Sequence, residues 1–153
     1  MKLITKNKAA YSDYEILDTY TVGVVLLWHE VKSIKWSHVN IKDAIVLFVG
    51  GTLVINNMDI PLYENTSPKI AGNYQAKWRR VLLANKAERA KIAAKTTKSW
   101  LAIVPLEVFI ALNWRIKLKI GIGKLLRKVE KKQILKEKDI KREMDREMKN
   151  IKG

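Results

Sequence analysis

The sequence predicts a mainly β domain over residues 1–123, carrying a few short helices, with a basic tail over residues 124–153. Three observations carry this. Short apolar runs rich in Val and Ile recur between turn residues, as buried strands do. Residues 114–122 alternate between apolar and mostly basic side chains. After Lys124 charged residues dominate, and neither glycine nor proline returns until Gly153. A chain of 153 residues, 48% hydrophobic, has material for one buried core and not for two.

The elements follow in order. Residues 14–20 lean towards strand, and Val22-Gly23-Val24-Val25-Leu26-Leu27-Trp28 reads as a buried strand. Residues 31–43 turn polar and admit a short helix. Ala44–Val49 and Thr52–Asn56 flank Gly50-Gly51. That pair predicts a hairpin, because glycine takes the positive φ of a primed turn without strain. Residues 67–73 read as loop. Asn85 with Glu88 three residues on has the spacing of a helix N-cap, and the Ala-rich stretch to about Thr97 continues as helix. Residues 103–110 return to strand, with Pro105 at an edge or a bulge.

The clearest periodicity comes next. Trp114, Ile116, Leu118, Ile120 and Ile122 fall on one face, and Arg115, Lys117 and Lys119 on the other. Lys117 and Lys119 on such a strand suit an RNA backbone; they equally suit an edge strand guarded by lysines. In the tail, Ile140, Met144, Met148 and Ile151 recur at helical spacing among charges. A stripe that thin is marginal in water and predicts a segment that is disordered alone and becomes helical when bound.

Of 30 Lys/Arg and 15 Asp/Glu, seven of each lie in residues 1–75. The formal net charge of +15 therefore belongs entirely to residues 76–153. Charge of this size and asymmetry favours nucleic acid, an anionic membrane or an acidic partner, with a Lys-rich solvated surface as the plain alternative. A membrane-surface helix needs a wider, bulkier apolar face than the tail offers. The absence of cysteine removes disulfides, thiolate metal sites and cysteine nucleophiles, and suits a reducing, cytoplasmic location. His29, His38 and Asp43 match no common metal spacing, and Gly121-Ile122-Gly123-Lys124 lacks the spacing of a phosphate loop. The sequence predicts no catalytic residue, no metal, no cofactor and no enzyme activity.

The segments also resemble, in order and nearly end to end, the SsrA-binding proteins, also called small protein B. Asn7-Lys8-Ala9-Ala10-Tyr11-Ser12-Asp13-Tyr14 looks like the family's opening. Gly23-Val24-Val25-Leu26, Glu30-Val31-Lys32-Ser33, Asn40-Ile41-Lys42-Asp43 and Ile60-Pro61-Leu62-Tyr63 follow. A basic segment then precedes Leu82-Leu83, and Val104-Pro105-Leu106 and Gly121-Ile122-Gly123-Lys124 come before the Lys/Arg-rich tail. The chain departs from the family at Tyr11, Ser12 and Thr21, where arginine, histidine and glutamate are usual.

The resemblance implies an oligonucleotide-binding-like (OB-type) antiparallel β-barrel with flanking helices. It implies a monomer that binds transfer-messenger RNA and enters stalled ribosomes for trans-translation, without a membrane. The tail would occupy the empty messenger channel near the decoding site and meet ribosomal RNA there. A generic OB-type RNA-binding or ribosome-associated protein is the alternative. The expected RNA-facing residues are Asn7, Lys8, Lys77, Trp78, Arg79, Arg80, Leu83, Asn85, Lys117 and Lys119. Lys124, Arg127, Lys128, Glu130, Lys131 and Lys132 would lead the tail's ribosomal contacts. Trp78 offers either a stacking face or a core contact, and Asn85 either a base-edge donor or a helix cap.

Overall fold

A computed structural model describes residues 1–98, 100–126 and 138–146. The elements run β1 (Lys2–Lys6), α1 (Lys8–Asp13), β2 (Tyr14–Val24), α2 (Trp28–Lys35), β3 (Ile45–Val49) and β4 (Thr52–Asn56). Then come α3 (Pro68–Ala71), β5 (Arg80–Leu83), α4 (Lys86–Lys95), β6 (Leu101–Ile110) and β7 (Ile116–Leu125). The strands form one seven-stranded sheet in the order β1-β6-β7-β2-β5-β4-β3, and neighbours pair antiparallel. The sheet curls so that β3 returns against β6. The mainly β, barrel-type class read from the sequence is the class observed.

Local chemistry explains the parts that match expectation. Gly50 and Gly51 take φ of 58° and 80°, and β3 pairs β4 from Val49↔Thr52 outward. Asn85 caps α4, its Oδ1 accepting from the Glu88 amide at 2.7 Å. Ile116, Leu118, Ile120 and Ile122 of β7 are all buried. They join Ile34, Ile41, Leu53, Met58 and Ile92 in one core. Each such side chain contributes roughly 1.5–3 kcal/mol of transfer free energy. Pro105 lies where the β6–β7 register shifts, beyond the last β1 partner at Glu107, so its missing N–H costs the ladder little.

Four expectations are corrected. The strand ends at Val24 rather than Trp28: Trp28 begins α2, and the Glu30 carboxylate accepts from the Leu27 amide at 2.9 Å to start that helix. The stretch expected as loop holds the single turn α3, with Pro68 at its first position, where the missing N–H is harmless. β7 lies between β6 and β2, so its lysines do not guard a sheet edge. It also runs through Leu125, placing Lys124 opposite Glu15 and Leu101 within the sheet rather than at the head of the tail.

Trp114 departs from the alternation altogether. It sits in the β6–β7 turn with φ 66°, donating its amide to the Ala111 carbonyl at 2.9 Å. A left-handed backbone costs a residue bearing a Cβ roughly 1–2 kcal/mol, so glycine or asparagine is the ordinary occupant.

Gly121 marks the tightest packing along β7. A Cβ there would stand 2.8 Å from Leu106 Cδ1 and 3.1 Å from Ile16 Cγ2. Leu106 is fully buried and has little room to yield. Gly121→Ala is expected to destabilise the fold by about 1–3 kcal/mol, seen as a lower urea midpoint at unchanged slope.

Residues 138–146 are helical and exposed along their length, Ile140 and Met144 included. Met148 and Ile151 lie outside the described residues. Among the described residues no helix is long and apolar enough to cross a membrane, and no group of acids and histidines is placed to hold a metal.

Candidate nucleic-acid interface

The residues singled out in the sequence fall into structural and exposed sets. Arg80 opens β5 but does not face solvent: it is 3% exposed and paired with Glu30, itself 2% exposed. Its Nε donates to Glu30 Oε2 at 2.7 Å. The remaining guanidinium nitrogens donate to the carbonyls of Met58 (2.5 Å), Ala76 (3.0 Å) and Trp78 (3.3 Å), and to the Tyr74 hydroxyl (3.1 Å). The Trp78 indole N–H also reaches Glu30 Oε2, at 3.3 Å. A buried ion pair recovers its desolvation cost only when its hydrogen-bonding capacity is filled, and here it is.

Aromatic rings enclose the pair. Tyr74 meets Trp78 edge-on at 5.2 Å and His29 at 4.9 Å. Trp28 meets His29 at 5.6 Å and Tyr63 at 6.5 Å. Burial, and next the Glu30 carboxylate, pushes the Tyr74 phenol up to about 12. The cluster ties α2 to the 74–80 segment and hence to β5. The expectation that Arg80 meets RNA is therefore corrected: its donors are spent inside the protein. Trp78 is half-buried, its ring edge-on to Tyr74 and its indole N–H on Glu30.

Asn7 is corrected for the same reason. It is 6% exposed. Its Oδ1 caps α1 by accepting from the Ala10 amide at 3.2 Å, and its Nδ2 donates to Pro105 O at 3.0 Å and Ile41 O at 3.3 Å. The side chain staples three segments and has no donor left for a base edge. Asn85 spends its Oδ1 on the α4 cap.

The exposed set is Lys8, Lys77, Arg79, Leu83 and Asn85, whose cap bond engages only its Oδ1, with Lys117 and Lys119 half-buried on β7. Arg79 is steadied by an Nε contact to Asn56 Oδ1 at 3.1 Å. Lys119 faces Glu107 at 3.6 Å. Asp18 pairs with Lys95, whose ammonium contact is the main cause holding that carboxyl below its usual range. Glu30, Glu107 and Asp18 are thus answered by cations, whereas Lys8, Lys77, Arg79 and Lys117 have no carboxylate partner among the described residues. The result is a surface biased towards anions.

The fold does not gather these cations into one patch. Leu83 and Lys117 flank Gly23 of β2 in a groove that also holds Trp114 and Arg115. Lys8 shares a separate concavity with Lys6, Asn40 and Lys42. Sequence reasoning missed Lys6 and Lys42 as neighbours of Lys8, whereas the period-two pattern had already set Arg115 beside Lys117. Arg127, Lys128, Glu130, Lys131 and Lys132 lie outside the described residues.

Fold and surface together define a small, basic protein built on a curled antiparallel sheet. The chain belongs to the SmpB protein family, whose pattern matches residues 4–150. It is 40% identical over 147 residues to the SsrA-binding protein of Coprothermobacter proteolyticus, covering 96% of this chain and 97% of that one. It is 36% identical over 149 residues to the SsrA-binding protein of Persephonella marina, covering 97% and 95%. A chain from a solved structure described as "tmRNA-SmpB: a journey to the center of the bacterial ribosome" superposes with a TM-score of 0.66 at 29% identity, covering 86% of this chain and 93% of that chain.

Proposed function

We propose that this chain binds transfer-messenger RNA and delivers it to stalled ribosomes, acting by binding rather than catalysis, in the cytoplasm and as a monomer on the RNA. The observation that carries this reading is the end-to-end match to SsrA-binding proteins, 96% of this chain against 97% of a relative at 40% identity. The +15 charge, lodged wholly in the second half, supplies the electrostatics an RNA partner requires.

In this reading Lys8, Lys77, Arg79 and Lys117 neutralise phosphates, and Leu83 offers an apolar contact beside them. Lys119 contributes less, being shared with Glu107. Recognition rests on shape and backbone, because A-form grooves hide most base edges. The segment from Arg127 onward enters the messenger channel of the ribosome, where its cations meet ribosomal RNA.

The test is equilibrium binding to a transcript of the transfer-RNA-like part of transfer-messenger RNA, with a plain duplex of equal length as competitor. Preference for the transcript supports the reading; equal affinity for both favours a generic RNA binder. In the same assay Lys77→Ala with Arg79→Ala is expected to weaken binding and flatten the log–log salt dependence by about 1 per lost phosphate contact. A slope equal to wild type would mean that these cations face elsewhere.

A further inference from the structure

Trp114 combines a left-handed backbone with a largely exposed side chain. Its φ of 66° belongs to glycine or asparagine, and Asn113 stands one residue away. The indole is 74% exposed, and Leu112 in the same turn is 88% exposed. Strain and exposure together in one large aromatic point to a role outside folding.

The turn overhangs a groove of about 470 Å³. Its floor is apolar, made by Gly23, Val24, Leu26 and Leu83. Gly23 keeps the floor low, since a Cβ there would stand 3.3 Å from Leu83 Cβ. Leu83 is 57% exposed beside it. The charged residues lining the groove are Arg115 and Lys117, with no carboxylate among the lining, and the Lys35 ammonium stands over the Trp114 ring at 6.0 Å. A flat apolar floor, an open indole and a cationic rim fit an occupant with a planar apolar face and negative charge.

We propose that this groove takes one unpaired nucleotide of the bound RNA, its base stacked on Trp114 above the Gly23–Leu83 floor and its phosphates met by Arg115 and Lys117. The inference rests on the RNA-binding reading and deepens it by assigning a stacking subsite. Trp114 contributes contact without charge and the rim contributes charge, so their removal separates in a salt titration.

The experiment uses the full chain and its Trp114→Gly and Trp114→Phe variants, titrated with the transfer-RNA-like transcript at several salt concentrations, with urea unfolding in parallel. Trp114→Gly is expected to lose about 5- to 150-fold in affinity, the range one base–aromatic stack supplies, at an unchanged salt slope. Its urea midpoint is expected to equal or exceed wild type, since glycine suits the backbone there. Trp114→Phe is expected to keep most of the affinity. Wild-type affinity in Trp114→Gly overturns the subsite and leaves the RNA reading standing, whereas failure of the wild-type chain to bind the transcript overturns that reading itself. Full RNA affinity in Trp114→Gly with reduced association to purified ribosomes would hand the groove to another partner and also overturn the proposal.

Discussion

Replacing Arg80 with alanine is expected to lower the unfolding free energy by about 3–5 kcal/mol, because it strands a buried carboxylate. Glu30 would keep the Leu27 amide, the Trp78 N–H and the Tyr74 hydroxyl as neighbours, but would lose its cation. Against a typical total of about 5–15 kcal/mol for a domain, that is a large fraction. Urea denaturation checks it. Arg80→Lys is expected to recover only part, since an ammonium cannot reach Glu30, Tyr74 and the carbonyls of Met58 and Ala76 in the guanidinium's planar fork. The double change Glu30→Leu with Arg80→Met is expected to be far milder than Arg80→Ala, because it removes both charges together. Destabilisation by the double change equal to Arg80→Ala would show that the site depends on shape rather than charge. The contrast with Arg79 sharpens the division: one arginine carries the fold, and its exposed neighbour carries the proposed RNA contact.

Removing residues 127–153 is expected to leave affinity for the transfer-RNA-like transcript within a few-fold of wild type at physiological salt and to abolish peptide tagging on stalled ribosomes. The cut belongs after Leu126, because the sheet continues that far: Leu125 pairs with Tyr14, and the Leu126 amide donates to Asp13 O at 2.8 Å. A cut after Gly123 would remove strand as well as tail and confuse the two effects. Tagging in a reconstituted translation system and binding to the isolated transcript are read side by side. Parallel loss of both activities would sink the division of labour between sheet and tail.

Features set by neighbours in sequence were legible in advance. The Gly50-Gly51 hairpin, the Asn85 cap and the buried Ile116-to-Ile122 face each follow from a local rule: positive φ, first-turn amide capture and period two. Features set by distant residues were not. Glu30 and Arg80 stand 50 positions apart, and no periodicity links them. Arg80 read as part of a basic segment because charge alone does not reveal a buried partner. Asn7 read as a base-edge donor because its three hydrogen-bonding segments, at residues 10, 41 and 105, come together only in the fold. Trp114 had the right parity for the buried face, yet the Ala111–Trp114 turn took it out of the strand. Lys124 looked like the start of a tail because the apolar alternation stops at Ile122, while the backbone ladder runs on opposite Tyr14 and Glu15.

The candidate interface was legible in kind and only partly in place. Cations were expected, and Lys8, Lys77, Arg79 and Lys117 are exposed or half-exposed without acidic partners among the described residues. The meeting of Leu83 and Lys117 in one groove, apart from the concavity that holds Lys8, was not visible, because strand order decides it: β2 lies between β5 and β7 and brings the two residues to either side of Gly23.

The central claim is that the chain serves one structured RNA and brings it to the ribosome. The most direct measurement is to recover the tagged full-length chain from its native cell and sequence the RNA bound to it. The account predicts one dominant species with a transfer-RNA-like end, accompanied by ribosomal RNA that is lost when residues 127–153 are removed. A broad mixture of cellular RNAs with no dominant species would contradict it.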